Sequence, residues 1–533
     1  MKKFFIIATI LLICVSTIMS CNSAATTTPA TTTAVATTTA VVKTTTAQPT
    51  ATTVPTVAPK KGGTLKWIFW VSPKTPMGLP WELVGGEVLT VASQFDAFFN
   101  LSNKGVMDPV LALNYKVADD RKSITFQLRQ GVKFIDGTTF NAAAAKFNMD
   151  KIIEKKTNPS LASTEVIDDY TFKVNFNYWT NTALSTFSSF YCISPTAYQK
   201  NGEDWARNNP TGTGPFKYSS MVRDSSYKLV KNPDYWRPGK PYLDAINVTY
   251  VSDANTISMA VQAGSVDCSQ IEAGKTAADL KAKGFNLAIN VNTTMCMLPD
   301  TAHPDSILAN EKVRQAVEYA LDREGYAKTF SYGLWDAPYQ VPPKSSMGFN
   351  PNFTLARKTD IAKAKQLLTD AGYPNGVSIK LGWPALGLDK NIAMAVVADL
   401  AKAGITATLD DPPVLPQYFD NTNTAKNELF WQPIFCGANF NSALAMSFNP
   451  SVTNMNMAWG KTPEYIDMFN KSMQAADPDQ KLMWDISNYM TQHALAIPVI
   501  CGSTAYLYAP YVMDGGFYGR GADWAPENIW LNK

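Results

Sequence analysis

Histidine is almost missing. The 533-residue chain has two, His303 and His493, far apart in the sequence. A Ser-His-Asp triad or a His-rich zinc site needs imidazole beside its partners, so both chemistries are disfavoured. His303 lies in a turn-like "TAHPDS" and His493 at a helix end, where its charge suits the helix dipole; both read as structural. Charge is scarce as well: 17% of residues are ionic, and 47 basic against 44 acidic side chains leave a net +3. Nothing resembles a basic cluster or a basic-aromatic stripe, which argues against nucleic acid as a partner. Beyond Cys21 the cysteines are Cys192, Cys268, Cys296, Cys436 and Cys501. They form no CxxC pair and no zinc spacing, and read as small buried apolar residues, one disulfide remaining compatible with the sequence. There is no G-x-S-x-G. Ser225–Lys228 matches S-x-x-K, but in a strand those two side chains point to opposite faces. No catalytic residue, metal or cofactor is expected, and the chain is not read as an enzyme.

What is present begins with an export signal. Met1-Lys2-Lys3 is basic and Phe4 to Val15 is an almost unbroken apolar run, too short for an ordinary spanning helix. It ends in "TIMSC", which resembles the lipobox of bacterial lipoproteins. That resemblance implies cleavage after residue 20 and acylation of Cys21, with a membrane anchor outside the cytoplasm. A Thr/Ala/Pro tract follows to residue 60. It has almost no charge and no periodicity, so it reads as a disordered tether with a mean reach on the order of 35 Å.

Residues 61–533 alternate strand and helix patterns, the signature of an α/β protein with more than one domain. Ile124, Phe126 and Leu128 alternate, as do Phe172, Val174 and Phe176, which predicts strands with one wet face. Val313, Ala316, Val317, Ala320 and Leu321 predict one helix running on toward Gly333. Thr359 is a candidate N-cap for the next helix, with Gly372 and Pro374 as stop signals. Val377–Trp383, a helix to Lys402 and Ile405–Leu409 predict a βαβ unit with a parallel pair. Helices near 462–475 and 478–493 and a strand near 495–502 complete the pattern. Between the strands at Tyr227 and Ala245, Tyr235, Trp236 and Tyr242 sit among three prolines. Such rings can each bury about 150–250 Å², so the loop is read as a staple of the fold rather than a ligand contact.

Six segments, taken in order, resemble one family. They are "FQLRQGVKFIDGTTFNAAAAKFNMD" (Phe126–Asp150), "GTGPFKY" (Gly212–Tyr218), "NPDYWRPGKPYLD" (Asn232–Asp244), "DANTISMAVQAGSVD" (Asp253–Asp267), "VRQAVEYALDRE" (Val313–Glu324) and "KAKQLLTDAGYPNG" (Lys363–Gly376). The chain is similar to the family 5 extracellular solute-binding proteins of ABC transporters, which take peptides, nickel or oligosaccharides. The resemblance implies a two-lobed, periplasmic-binding-protein-like α/β fold with a hinged cleft and an extra subdomain in the first lobe. It sets lobe I at 61–100, 211–295 and 505–533, the extra subdomain at 101–210 and lobe II at 296–504. It implies capture of a solute, an oligopeptide or an oligosaccharide or other neutral compound, by a monomer that delivers it to the permease subunits of an ABC importer. A ligand-sensing or adhesion lipoprotein with this fold, uncoupled from transport, is the alternative.

The resemblance also supplies site candidates. Peptide-binding members carry a segment like W-x-A-D-Y-x-D-P, whose first Asp holds the ligand's ammonium. Here "IFCGANFNSAL" puts Asn439 at that Asp and Phe440 at the aromatic. An amide offers one acceptor and two donors in place of a charge, which suits hydroxyls and amides better than an ammonium. The competing reading is that Asn439 only caps a turn. Trp70, Trp383 and Trp431 lie at or near strand ends, where α/β lobes hold ligands, and are candidates for stacking on one.

Overall fold

In Ser123–Leu128 every second side chain is buried, and Ile124, Phe126 and Leu128 all face one core. Thr171–Phe176 repeats the pattern beside it, as the alternation predicts. With Ala112–Val117 and Leu161–Asp168 these strands form a four-stranded antiparallel sheet, packed on the helix Ala142–Glu154 over a Phe-rich core. This computed structural model describes residues 58–69, 72, 76–83, 93–101, 107–290, 292–384, 390–413, 415–424, 426–450, 461–502, 504–514 and 525–533.

Two larger sheets organise the rest. In the seven-stranded sheet, Thr64–Phe69 lies parallel to Ala245–Tyr250 on one side and to Cys268–Glu272 on the other. The helix Ala254–Gln262 carries the chain across from one neighbour to the other. The five-stranded sheet holds the predicted βαβ unit. Val377–Gly382 and Ile405–Asp410 pair in parallel, joined through the helix Lys390–Lys402, and Leu429–Phe435 is parallel on the other edge. Each sheet with its helices is one lobe.

The lobes are joined by a two-strand ribbon. Asn286–Asn290 pairs with Thr504–Tyr508 in the seven-stranded sheet. Three positions on, Thr293–Pro299 pairs with Ile497–Cys501 in the five-stranded sheet. The same two chain segments therefore run side by side from one sheet into the other, and Gly502 N–H donates to Thr293 O at the crossing, 3.1 Å. Gly502 has φ +112, a region that costs a side-chain-bearing residue dearly, and Trp335 packs against the position a Cβ would take.

Two local expectations change. The helix read toward Gly333 is two helices, Glu311–Ala320 and Arg323–Ser331. Leu321 is extended, and the Asp322 carboxylate accepts the Gly325 N–H to start the second helix. The next helix is capped by Asp360, not Thr359; the Thr359 hydroxyl instead donates to Leu321 O, 2.7 Å. The five cysteines beyond the N-terminal region are buried thiols.

The aromatic loop packs as a staple. Tyr235 O–H and Trp236 Nε1–H donate to the two oxygens of Asp96, at 3.1 and 2.8 Å, and Thr213 Oγ1 donates at 3.1 Å. The Arg129 and Arg237 guanidinium groups each lie over the Trp236 ring, 4.5 and 4.8 Å from its centroid. The "GTG" turn explains itself by contact. A Cβ on Gly214 would sit 2.4 Å from the Gln94 backbone, so only glycine lets the two chains meet. Burial pushes the Asp96 carboxyl up to about 6, against the lowering effect of the Trp236 N–H.

Gly214→Ala should lower stability by about 2–3 kcal/mol in urea denaturation, because the obstacle is backbone that cannot rotate away. Asp96 binds its proton more tightly folded than unfolded. Its contribution, on the order of 3 kcal/mol, should be complete below about pH 4 and lost as pH rises through about 6. Denaturation midpoints across that window should flatten in Asp96→Asn; an unchanged slope refutes the assignment.

Candidate functional site

The strand Leu429–Phe435 ends at the ribbon, where Cys436 N–H donates to Asn292 O, 2.9 Å. Gly437 takes φ +57, and the chain turns into the helix Phe440–Ser447. Asn439 is the N-cap, its Oδ1 accepting the Asn441 N–H at 3.0 Å. The turn is fixed from the side as well, since Met347 N–H donates to Ala438 O, 2.8 Å. Asn439 thus has its oxygen committed, and among the described residues its Nδ2 is left to serve as a donor.

Asn439 is 5% exposed, and it lines a cavity of about 320 Å³. Met347, Asp477 and Pro478 complete the wall on the five-stranded lobe. The facing wall is Leu101, Met107, Tyr115, Leu184 and Ser185, from the four-stranded subdomain and its border. Among the described residues Asp477 is the single carboxylate in this lining. Burial, then the nearby Asp477, raises the Tyr115 phenol above its ordinary range, so it stays a neutral donor. The cavity is an apolar slot with an amide, a hydroxyl, a phenol and one acid at its edge. The Ser185 hydroxyl of this lining donates to Thr182 O, 2.8 Å, within its own helix. Among the described residues no three His, Cys, Asp or Glu side chains are grouped to hold a metal, and no helix is long and apolar enough to cross a membrane.

The other candidates fall elsewhere. Trp383 is 2% exposed and packs against Trp431, ring centroids 4.7 Å apart; Trp431 is 0% exposed. Phe440 is 0% exposed, with Gly348 set against its ring. These three aromatics fill the core of their lobe, so no ring face is presented for stacking. The strand Leu429–Phe435 is covered on both faces, with Leu429, Phe430, Trp431 and Gln432 all buried. Trp431 sits mid-strand with neighbours on both edges, and the sheet face it points from is covered. Trp70 and Cys21 lie outside the described residues. Tyr115, Ser185 and Asp477 were not singled out from sequence. Tyr115 reads as one residue of an edge strand and Asp477 as part of a polar inter-helix turn, "AADPD". Neither pattern carries a signal for a cavity.

His303 and His493 are anchored by carboxylates, His303 Nδ1 to Asp300 Oδ1 at 2.9 Å and His493 Nδ1 to Glu311 Oε2 at 2.8 Å. Neither lines the cavity.

Comparison with known proteins places this geometry. The model of the bacterial extracellular solute-binding proteins, family 5 Middle, matches residues 106–476. The glutathione-binding protein GsiB of Shigella flexneri serotype 5b is 32% identical over 305 residues, covering 54% of this chain and 58% of that one. The match therefore spans little more than half the length of that relative. Among solved structures, the periplasmic binding protein DppA of Helicobacter pylori, in complex with the peptide STSA, aligns with a TM-score of 0.70 at 20% identity, over 89% of this chain and 99% of that one. NikA of Brucella suis, in complex with Fe(III)-EDTA, aligns with a TM-score of 0.77 at 20% identity, over 88% and 100%. The matched segment covers more than half of the chain, and the two-lobed fold agrees with it: the chain belongs to family 5 of the bacterial extracellular solute-binding proteins, a family of binding proteins and not of enzymes.

Proposed function

We propose that this protein captures a small solute outside the cytoplasm and delivers it to the permease subunits of an ABC importer, held at the membrane by acyl chains on Cys21. The observation that carries the reading is the cavity around Asn439, walled by two bodies of a two-lobed fold. Movement of one wall against the other would trap or release what lies between them, and a ligand drives closure by its preference for the closed form.

A short peptide or peptide-like compound is the first choice of ligand. The relative named for glutathione and the neighbour solved with a peptide favour it. Asn439 favours an uncharged group at that end of the ligand, because its Nδ2–H donates and brings no negative charge. A neutral oligosaccharide fits the same donor and is the second choice.

Thermal-shift screening with short peptides, amino-blocked peptides and neutral sugars tests the class. A ligand at about 100 times its Kd should add ~2.7 kcal/mol of stability. No shift with any of them, or turnover of one, overturns the reading. Asn439→Asp should tighten binding of an amine-bearing peptide by roughly tenfold in calorimetry, since a charge-assisted bond is about twice as strong as a neutral one. For the anchor, Cys21→Ser should move the protein from the membrane fraction to the soluble one.

A further inference from the structure

The helix Pro463–Gln474 has an end that its own lobe does not finish. Ala475 leaves it in an extended conformation, φ −55 and ψ 145, with no capping N–H. The last carbonyls of a helix have no partner within it. Here four consecutive ones accept donors from across the molecule. Ser472 O accepts from Asn181 Nδ2 at 2.5 Å, and Met473 O from the Asn181 backbone N–H at 2.9 Å. Gln474 O accepts from Arg121 Nη1, and Ala475 O from Trp179 Nε1 at 3.0 Å. All four of these donors come from the four-stranded subdomain; from its own lobe Ser472 O also accepts a longer bond from Asn441 Nδ2, 3.4 Å. The neighbouring helix Gln480–Gln492 is treated differently. Its end is served within the lobe, by Arg357 to Thr491 O and Gln492 O and by Arg314 to His493 O.

Behind the carbonyls lies a closed polar circuit. Ser472 Oγ donates to Asn441 Oδ1 at 2.7 Å, and Asn441 Nδ2 donates to Asn181 Oδ1 at 3.1 Å. Asn181, Asn441 and Ser472 are each 0% exposed. Asn181 thus spends its backbone N–H, its amide N–H and its amide oxygen on the other body. A buried amide satisfied in this way holds one register, because any slip leaves polar atoms dry and unpaired.

The circuit sits against the cavity on both walls. Asn441 follows Asn439, whose side chain caps its N–H. Leu184 and Ser185 belong to the short helix Thr182–Thr186 that starts immediately after Asn181. One contact therefore pins both walls to each other.

We infer that Asn181 is a positioning residue that latches the four-stranded subdomain onto the end of the helix Pro463–Gln474, and so sets how tightly and how long the Asn439 cavity holds its ligand. This rests on that cavity being the ligand site. The latch itself contains no ligand atom, so it biases the closed form before any ligand arrives. A ligand's apparent affinity scales with the fraction of protein already in the competent form. Breaking the latch lowers that fraction.

The test is hydrogen exchange by mass spectrometry on the full-length protein, without added solute, for the wild type, Asn181→Ala and Arg121→Ala. Arg121 is exposed and removes one carbonyl donor without touching the buried circuit, so it guards against a variant that merely folds badly. In the wild type, amides of residues 179–186 should be protected. In both variants they should exchange about tenfold faster, while the helix Glu311–Ala320 keeps wild-type protection. A ligand found by thermal shift should then bind the Asn181 variant about tenfold more weakly and leave it faster. Fast exchange of 179–186 in the wild type, or wild-type exchange in both variants, overturns the latch. Neither outcome bears on whether the cavity binds solute, which the thermal-shift screen decides separately.

Discussion

Two neighbouring strands carry the chain between the large sheets, and one apolar cluster holds side chains from both sides of that crossing. Asn290 faces Thr504 on one side of the crossing, and Thr294 faces Cys501 on the other. Because the same segments are paired in both lobes, a relative rotation must bend two hydrogen-bonded strands together. Twisting them apart would break ladder bonds in both sheets at once. Bending is the relative motion that leaves both sets of ladder bonds intact. Gly502 stands at the bend, in a backbone conformation that a larger residue resists and with Trp335 packed against it. Cys436 N–H reaches Asn292 at the same place, so the turn that presents Asn439 is fastened to the ribbon itself.

Away from the ribbon, several buried polar groups are met by one recurring device. Guanidinium and amide donors are sent to carbonyls at helix ends. Arg314 and Arg357 do this inside the five-stranded lobe, and Glu318 sits beside Arg357, at the buried centre of the cluster. Planar donors meet several carbonyls at fixed angles, so each such contact sets orientation as well as satisfying polarity. The staple around Asp96 follows a related logic with signs reversed, a buried carboxyl gathering an indole, a phenol and a hydroxyl. A protein with 17% charged residues holds its pieces in register with these directed contacts.

Several elements could be read from the chain with little loss. The alternation in Phe172, Val174 and Phe176 became a strand with those residues inside, and the βαβ unit from Val377 to Ile405 formed with its parallel pair. The failures are instructive. A continuous apolar period ran through Leu321, yet the helix stops there because the Asp322 carboxylate competes for the next amides. Thr359 and Asp360 are both good caps, and only the neighbouring Leu321 carbonyl decides which one is taken elsewhere. Trp383 and Trp431 follow or occupy strands as a ligand platform would, but burial is set by what covers the sheet, and local sequence carries no record of that.

By itself, the order of apolar and polar residues determined which segments become strands and helices, and the ordered motifs determined the family. Both are near-neighbour properties, fixed by side-chain period and turn chemistry over a few residues. That Asn439 caps a turn was legible for the same reason, as one position in a recognisable turn. The tertiary structure alone decided what faces it. Tyr115, Ser185 and Asp477 come from stretches more than 60 residues apart in the chain and meet only because two folded bodies press together. Asn181 is likewise an ordinary polar residue until the end of the helix Pro463–Gln474 is brought to it. Contacts of that kind depend on how whole units dock, and docking is the sum of many surfaces that no short window of sequence contains.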